Sequence, residues 1–290
     1  MVVGPTAVGK TAMGISLAQH FNTVVLSADS RQFYREMSIG TAKPDAVELA
    51  AVKHYFIDSH SIEEDYSAGD FERDALALLA DLFQQHNEVV LVGGSGLFVR
   101  ALCEGLDNLP KAPAEVRDRL NQRFEQEGIG PLQQQLQAVD PDYYRDADIY
   151  NPQRVIRALE VYEATGKPFS AFRVQASADR PFDIVTIGLN TDRALLYERI
   201  NQRVDQMMAA GLLEEAKSLL PYRNKPALLT VGYAELFAYL DGELSLEEAV
   251  DKIKQNTRRY AKRQITWFKK FGNTTWFDPD DREGVIRFLD

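Results

Sequence analysis

Gly4, Gly9, Lys10 and Thr11 stand in the spacing G-x-x-x-x-G-K-[ST], directly after the apolar pair Val2-Val3. This feature constrains the fold more than any other in the chain. A loop of this kind works only when a buried strand feeds it and a helix leaves it. The backbone N–H groups of Gly4, Pro5, Thr6, Ala7, Val8 and Gly9 (proline apart) and the start of the following helix supply an anion nest. Lys10 adds a cation, and Thr11 is placed to hold Mg²⁺ through its hydroxyl. The loop expects a diphosphate or triphosphate chain, and by itself it does not say ATP.

The pattern around the loop alternates. Residues 12–21 read as a helix, with Met13, Leu17 and Phe21 spaced by four. "TVVLSAD" and "EVVLVGGSG" are short buried strands, and residues 67–86 between them are helical, with Phe71, Leu78, Leu79 and Leu82 to one side. Strand and helix in alternation predict an α/β fold, a P-loop NTPase-like parallel sheet flanked by helices. The pattern breaks after Cys103. "EGLDNLPKAP" is a linker, and residues 114–172 hold no convincing strand. Val116, Leu120 and Phe124 run at helical spacing, as do Leu132, Leu136 and Val139. "NPQRVIRALEVYEATGKP" starts with Pro152 and ends at Gly166, as a helix should. "ASADRPF" leads into the strand "DIVTIGL", followed by helices over residues 192–208 and 245–271. The expected organisation is a core of residues 1–103 and 180–290 carrying an all-helical insertion at 104–179.

Composition narrows the function classes. No run of 18 apolar residues exists, so no membrane segment is expected. Lys10 and polar residues interrupt the start before a signal-peptide core forms. Cys103 is the only cysteine, which rules out an internal disulfide and a cysteine metal cluster. A cytoplasmic enzyme fits, expected as a monomer. The formal net charge of −10 weighs against a protein that coats nucleic acid nonspecifically. The charge is uneven, however. Residues 256–270 hold Arg258, Arg259, Lys262, Arg263, Lys269 and Lys270 and no acid. Alone, that run reads as a solvated helix face.

A P-loop enzyme that uses ATP also needs an acid at a strand end to organise Mg²⁺. "EVVLVGG" supplies none, whereas "VVLSAD" supplies Asp29 and "YFID" supplies Asp58. On chemistry alone Asp29 serves equally as a metal-organising acid, a general base, or a turn residue. Asp58 is expected to be structural.

"SADSRQFYREMSIGTAKP" is more specific than the loop. Together with "GPTAVGKT", "YSAGDF", "LVGGSGLF", "NPQRVIRALEV", "TVGY" and "AKRQITWF", it resembles the tRNA isopentenyltransferase family, the tRNA dimethylallyltransferases. The blocks run in the family's order from Gly4 to Phe268. The resemblance implies transfer of the dimethylallyl group of dimethylallyl diphosphate to the exocyclic N6 amine of the adenosine beside the tRNA anticodon, with pyrophosphate leaving. It implies that the loop holds an isoprenoid diphosphate with Mg²⁺, and that the helical insertion grips the anticodon stem-loop. The family's general base falls on Asp29 and its second-domain arginine on Arg203, with Arg199 one turn earlier. Before the resemblance, both arginines read as a solvated flank. Ser30, Arg31 and Gln32 are implied beside the flipped adenine, and Ser95 stands where many members have Thr. Arg117, Gln153, Arg154, Val155, Ile156, Arg157 and Arg263 fall at RNA-contacting positions. Two departures stand out. Only three residues precede Gly4, which points to a true start further upstream. No C-terminal cysteine-histidine finger is present, as in bacterial members. The competing readings are a P-loop small-molecule kinase using ATP, with the insertion as a lid, and a non-catalytic RNA-binding protein that keeps the loop as structure.

Overall fold

The computed structural model describes residues 1–107, 109–173, 178–271 and 273–290. Residue 108 of the linker and residues 176–177 before the fifth strand lie outside the described residues. The chain divides into two units, Met1–Cys103 with Arg180–Asp290, and Glu104–Asp179.

The first unit is built on six strands: β1 (Val2–Val3), β2 (Val25–Ser27), β3 (His54–Tyr55), β4 (Val90–Gly93), β5 (Thr186–Leu189) and β6 (Thr274–Phe277). Their order is β3-β2-β4-β1-β5-β6, with every pairing parallel. β1 is only two residues long, yet it lies between β4 and β5, where Val2 pairs with both Val92 and Ile187. A strand in that position is covered on both faces, which is why Val2, Val3 and all of β5 are buried. Met13, Leu17 and Ala18 of helix Lys10–His20, and Leu196 and Ile200 of helix Arg193–Ala209, pack into the same core. The parallel α/β expectation holds. Two strands were not set out from the pattern, β3 entering only as the strand end of "YFID" and β6 not at all. β3 is two residues long, and β6 is half-buried throughout, so neither shows the apolar run that marks a central strand.

The second unit is helical among its described residues. Helices Ala114–Glu127, Ile129–Val139 and Pro152–Thr165 bury Leu120, Leu132, Leu136 and Leu159 together. Pro152 opens the last of these, the Asn151 side chain accepts the Gln153 N–H at 3.1 Å, and Gly166 closes it in the left-handed region. Asp140, almost fully buried, accepts the N–H groups of Tyr143 (3.1 Å) and Ser170 (2.8 Å), tying two turns together. No helix among the described residues is long and apolar enough to cross a membrane.

Candidate active site

The loop leaves β1 at Gly4. A Cβ there would lie 2.5 Å from the Leu189 carbonyl oxygen, and φ is +146°, so only glycine lets the chain turn off the sheet against β5. Gly9, at φ 109°, opens helix Lys10–His20 with no side-chain cap. The first amides of that helix therefore face the loop without a protein side chain to accept them, and the helix dipole adds to their pull on an anion.

Two cations meet there. Lys10 Nζ donates to Pro5 O at 2.7 Å, and burial lowers its ammonium to about 7. The nearby Arg203 charge pushes in the same direction, and Asp29 opposes it. Burial also lowers the Arg203 guanidinium, with Glu48 pulling the other way. Arg203 makes no hydrogen bond or salt bridge among the described residues. Like charges held this close in a poorly solvated place create a standing demand for an anion.

Asp29 follows β2. Burial holds its carboxyl above the usual aspartate range, against the amide bonds and the Lys10 and Arg31 charges that favour the carboxylate. Oδ1 accepts the N–H groups of Arg31 (2.9 Å) and Gln32 (3.4 Å). The turn is braced from the β4 side, where Ser95 Oγ accepts the Ser30 N–H at 2.9 Å and donates to Ser30 Oγ at 3.1 Å. The Arg31 guanidinium donates to Ser30 O at 2.7 Å. Gln32 accepts from Ser27 Oγ and donates to Thr41 O and Ala42 O. Lys10, Thr11, Asp29, Gln32 and Arg203 line one cleft of about 890 Å³. Ser30 and Arg31 sit in the adjoining turn instead, with Ser95 beside them after β4.

Among the described residues no group of three His, Cys, Asp or Glu side chains is arranged to hold a metal. Thr11 lines the cleft, and its hydroxyl with water is a donor set that a Mg²⁺ carried on phosphate would accept, because Mg²⁺ keeps much of its hydration. Asp58 lines the same cleft, where its carboxylate forms a salt bridge with Lys43. Arg199 lies 3.9 Å from Asp280.

Gln264 and Tyr260 were not singled out by sequence reasoning. Gln264 is buried, and its Oε1 accepts the Thr6 N–H while its Nε2 donates to Gly94 O, both at 2.8 Å. One amide thus ties the phosphate loop to the end of β4. Tyr260, one turn earlier on helix Leu246–Lys270, lines the cleft, and its hydroxyl is pushed up to about 12, chiefly by burial and then by Asp29. The only available signal was the 260/264 spacing inside a helix that otherwise reads as basic and solvated. In that helix Arg258 donates to Asn201 Oδ1 at 2.6 Å, and the exposed Arg263 lies over the Tyr260 ring at 5.7 Å.

Within the 104–179 unit the implied RNA residues separate. Val155 and Ile156 are 1% and 0% exposed and pack in the unit's core. Their side chains cannot meet an RNA on the surface, which corrects the expectation for both. Arg117 donates to Gln153 Oε1 at 3.0 Å and pairs with Glu160 at 3.4 Å, and Arg157 pairs with Glu160 at 3.6 Å and donates to Pro110 O. Arg154 is exposed.

The family model described as IPP transferase matches residues 32–271. A tRNA dimethylallyltransferase of Christiangramia forsetii is 53% identical over 98% of this chain and 94% of its own length. That of Cytophaga hutchinsonii is 51% identical over 100% of this chain and 95% of its own. Among solved structures, the full-length tRNA isopentenylpyrophosphate transferase of Bacillus halodurans superposes with a TM-score of 0.72 at 39% identity, covering 99% of this chain and 92% of that one. A eukaryotic dimethylallyltransferase acting on tRNA gives 0.80 at 26% identity, covering 99% and 76%.

Proposed function

We propose, from the premise that this chain belongs to the IPP transferase family, that it transfers the dimethylallyl group of dimethylallyl diphosphate to the N6 amine of the adenosine 3′-adjacent to a tRNA anticodon. The observation that carries the reading is a single cleft lined by Lys10, Arg203 and Asp29, in which burial lowers both cations and raises the carboxyl. The loop amides and Lys10 bind the donor's diphosphate. The amine nitrogen forms a bond to the donor's first carbon as the bond from that carbon to diphosphate oxygen breaks. Pyrophosphate leaves with the electron pair, and Lys10 and Arg203 neutralise the charge that develops on it. Asp29 takes the proton that the amine must lose. An exocyclic adenine amine is a poor nucleophile, so a base at that point contributes directly to rate. Mg²⁺, held through Thr11, would add further charge neutralisation on the diphosphate. The adenosine has to leave its stack to reach Asp29. Ser30, Arg31, Gln32 and Ser95 frame it, while the exposed Gln153, Arg154 and Arg263 meet the RNA, and Arg117 and Arg157, paired with Glu160, hold that surface in shape. The enzyme works in the cytoplasm as a monomer.

Relatives named as transferases favour this reading over the ATP-dependent kinase. The test is to incubate the protein with undermodified tRNA and labelled dimethylallyl diphosphate, with γ-labelled ATP and candidate acceptors in parallel. Label should pass from the isoprenoid to the tRNA. Transfer from ATP alone would end the proposal.

A further inference from the structure

Residues 38–44 form a wall of the cleft that holds Lys10 and Arg203. They are a turn with no helix or strand to keep their shape. Gln32 and Asp58 hold its later part through Thr41, Ala42 and Lys43, and its first part is held by Glu215, on helix Leu212–Ser218. Its carboxylate accepts the backbone N–H groups of Ser38 (3.0 Å), Ile39 (2.8 Å) and Gly40 (2.9 Å). The hydroxyl of Tyr233, a fully buried residue, donates to the same carboxylate at 2.6 Å. Gly40 packs so tightly that a Cβ there would lie 2.6 Å from the Tyr233 ring. Neither Glu215 nor Tyr233 lines the cleft.

The wall so held is partly apolar. Ile39, Ala42 and Pro44 face the cleft, and Met207 and Ala210, one and two turns past Arg203, add apolar groups to it. The cleft therefore combines a cationic end with an apolar lining, the two halves of an alkyl diphosphate. We propose that Glu215, braced by Tyr233, is a positioning residue that shapes residues 38–40, the first part of the wall gripping the donor's alkyl chain, leaving the diphosphate to the loop. The inference rests on the reading that the donor is dimethylallyl diphosphate.

Equilibrium binding of dimethylallyl diphosphate and of inorganic pyrophosphate to the full chain separates the two halves. Glu215→Gln keeps one accepting oxygen but turns an NH₂ group on amides that need an acceptor. It should weaken dimethylallyl diphosphate about tenfold and change pyrophosphate less than about twofold, the scale of a lost charge-assisted hydrogen bond set against an untouched site. Gly40→Ala leaves the carboxylate intact, pushes the wall off Tyr233, and should give the same split. Tyr233→Phe should give a smaller one in the same direction. If Glu215→Gln fails to fold, the other two variants decide. Parallel loss of both ligands marks general damage to the cleft and overturns the proposal, as does no loss of either. Label transfer by the unaltered enzyme is measured separately. Its failure would sink the proposed reaction, while the binding split would still decide the role of Glu215.

Discussion

Three arginines of the helical unit and the two cations of the cleft are held in opposite ways. In the 104–179 unit three arginines find acidic partners: Arg117 and Arg157 share Glu160, which is 3% exposed, and Arg119 pairs with Glu163. In the other unit, Lys10 and Arg203 line one cleft, and burial depresses both. A satisfied cation holds a helix bundle together and has little left to offer a ligand. An unsatisfied one lowers the stability of the empty protein and gives the difference back when an anion arrives. The contrast separates residues that build a surface from residues that wait for a substrate, which net charge alone does not do.

The largest test of that contrast is Asp29→Asn. The amide keeps the shape of the turn but cannot take a proton, and a lost general base typically lowers rate by about 10² to 10⁴. Single-turnover transfer should fall in that range, with tRNA and donor affinity nearly unchanged. In the unaltered enzyme kcat/KM should decline as pH falls through the Asp29 value, and that decline should begin above the ordinary aspartate range. A variant within about tenfold of the parent, below the range for a lost base, would remove Asp29 from that role. Loss of Mg²⁺-dependent donor binding instead, partly restored by excess Mg²⁺, would make it a metal-organising acid.

Lys10→Met comes next. Donor affinity should fall about 10- to 100-fold, the worth of one or two charge-assisted bonds, as titration calorimetry would read. Stability of the ligand-free protein should move the other way. The Lys10 ammonium is lowered from 10.5 to about 7, so below 7 the folded state carries a poorly solvated charge. Between 7 and 10.5 the unfolded chain binds the proton more tightly, so this handicap fades as pH rises. The variant's gain in Tm should therefore be largest near about pH 6 and shrink towards about pH 10. Pyrophosphate binding by the unaltered enzyme at about pH 8 should take up a proton, read from the buffer dependence of the binding enthalpy. A Tm gain that does not change with pH would show that Lys10 is solvated.

The smallest expected effects lie in the helical unit. Arg154→Ala, at an exposed side chain, should lower the log–log salt slope of tRNA binding by about one, with Tm unchanged. Arg157→Ala should cost about 1–2 kcal/mol of that unit's stability, because Glu160 loses one of its two arginines. If the Arg157 variant changes the salt slope and leaves Tm alone, paired and unpaired arginines are equivalent on this surface, and the contrast breaks.

Sequence spacing made the loop, the parallel sheet and the change to helices after Cys103 legible, because each rests on local pattern. Short edge strands were not legible: His54–Tyr55 and Thr274–Phe277 owe their existence to β2 and β5 beside them. Gln264 was hidden for a related reason. Its partners Thr6 and Gly94 lie 258 and 170 positions away, and no local pattern in a basic helix announces a buried amide. Val155 and Ile156 show the reverse error. A motif transferred as a block carries its core-facing residues along with its surface-facing ones, and only the packing of Pro152–Thr165 separates them.

The bond from Gln264 to Thr6 also bears on the order of synthesis. The phosphate loop leaves the ribosome 258 positions before the amide that bonds Thr6. At about 5–20 residues per second, the loop waits roughly 10–50 seconds for its clamp. A chain that terminates early in that interval carries the whole Gly4–Thr11 motif and still lacks the side chain that holds Thr6 against Gly94. The loop's tie to the end of β4 is thus formed only after residue 264 has been made.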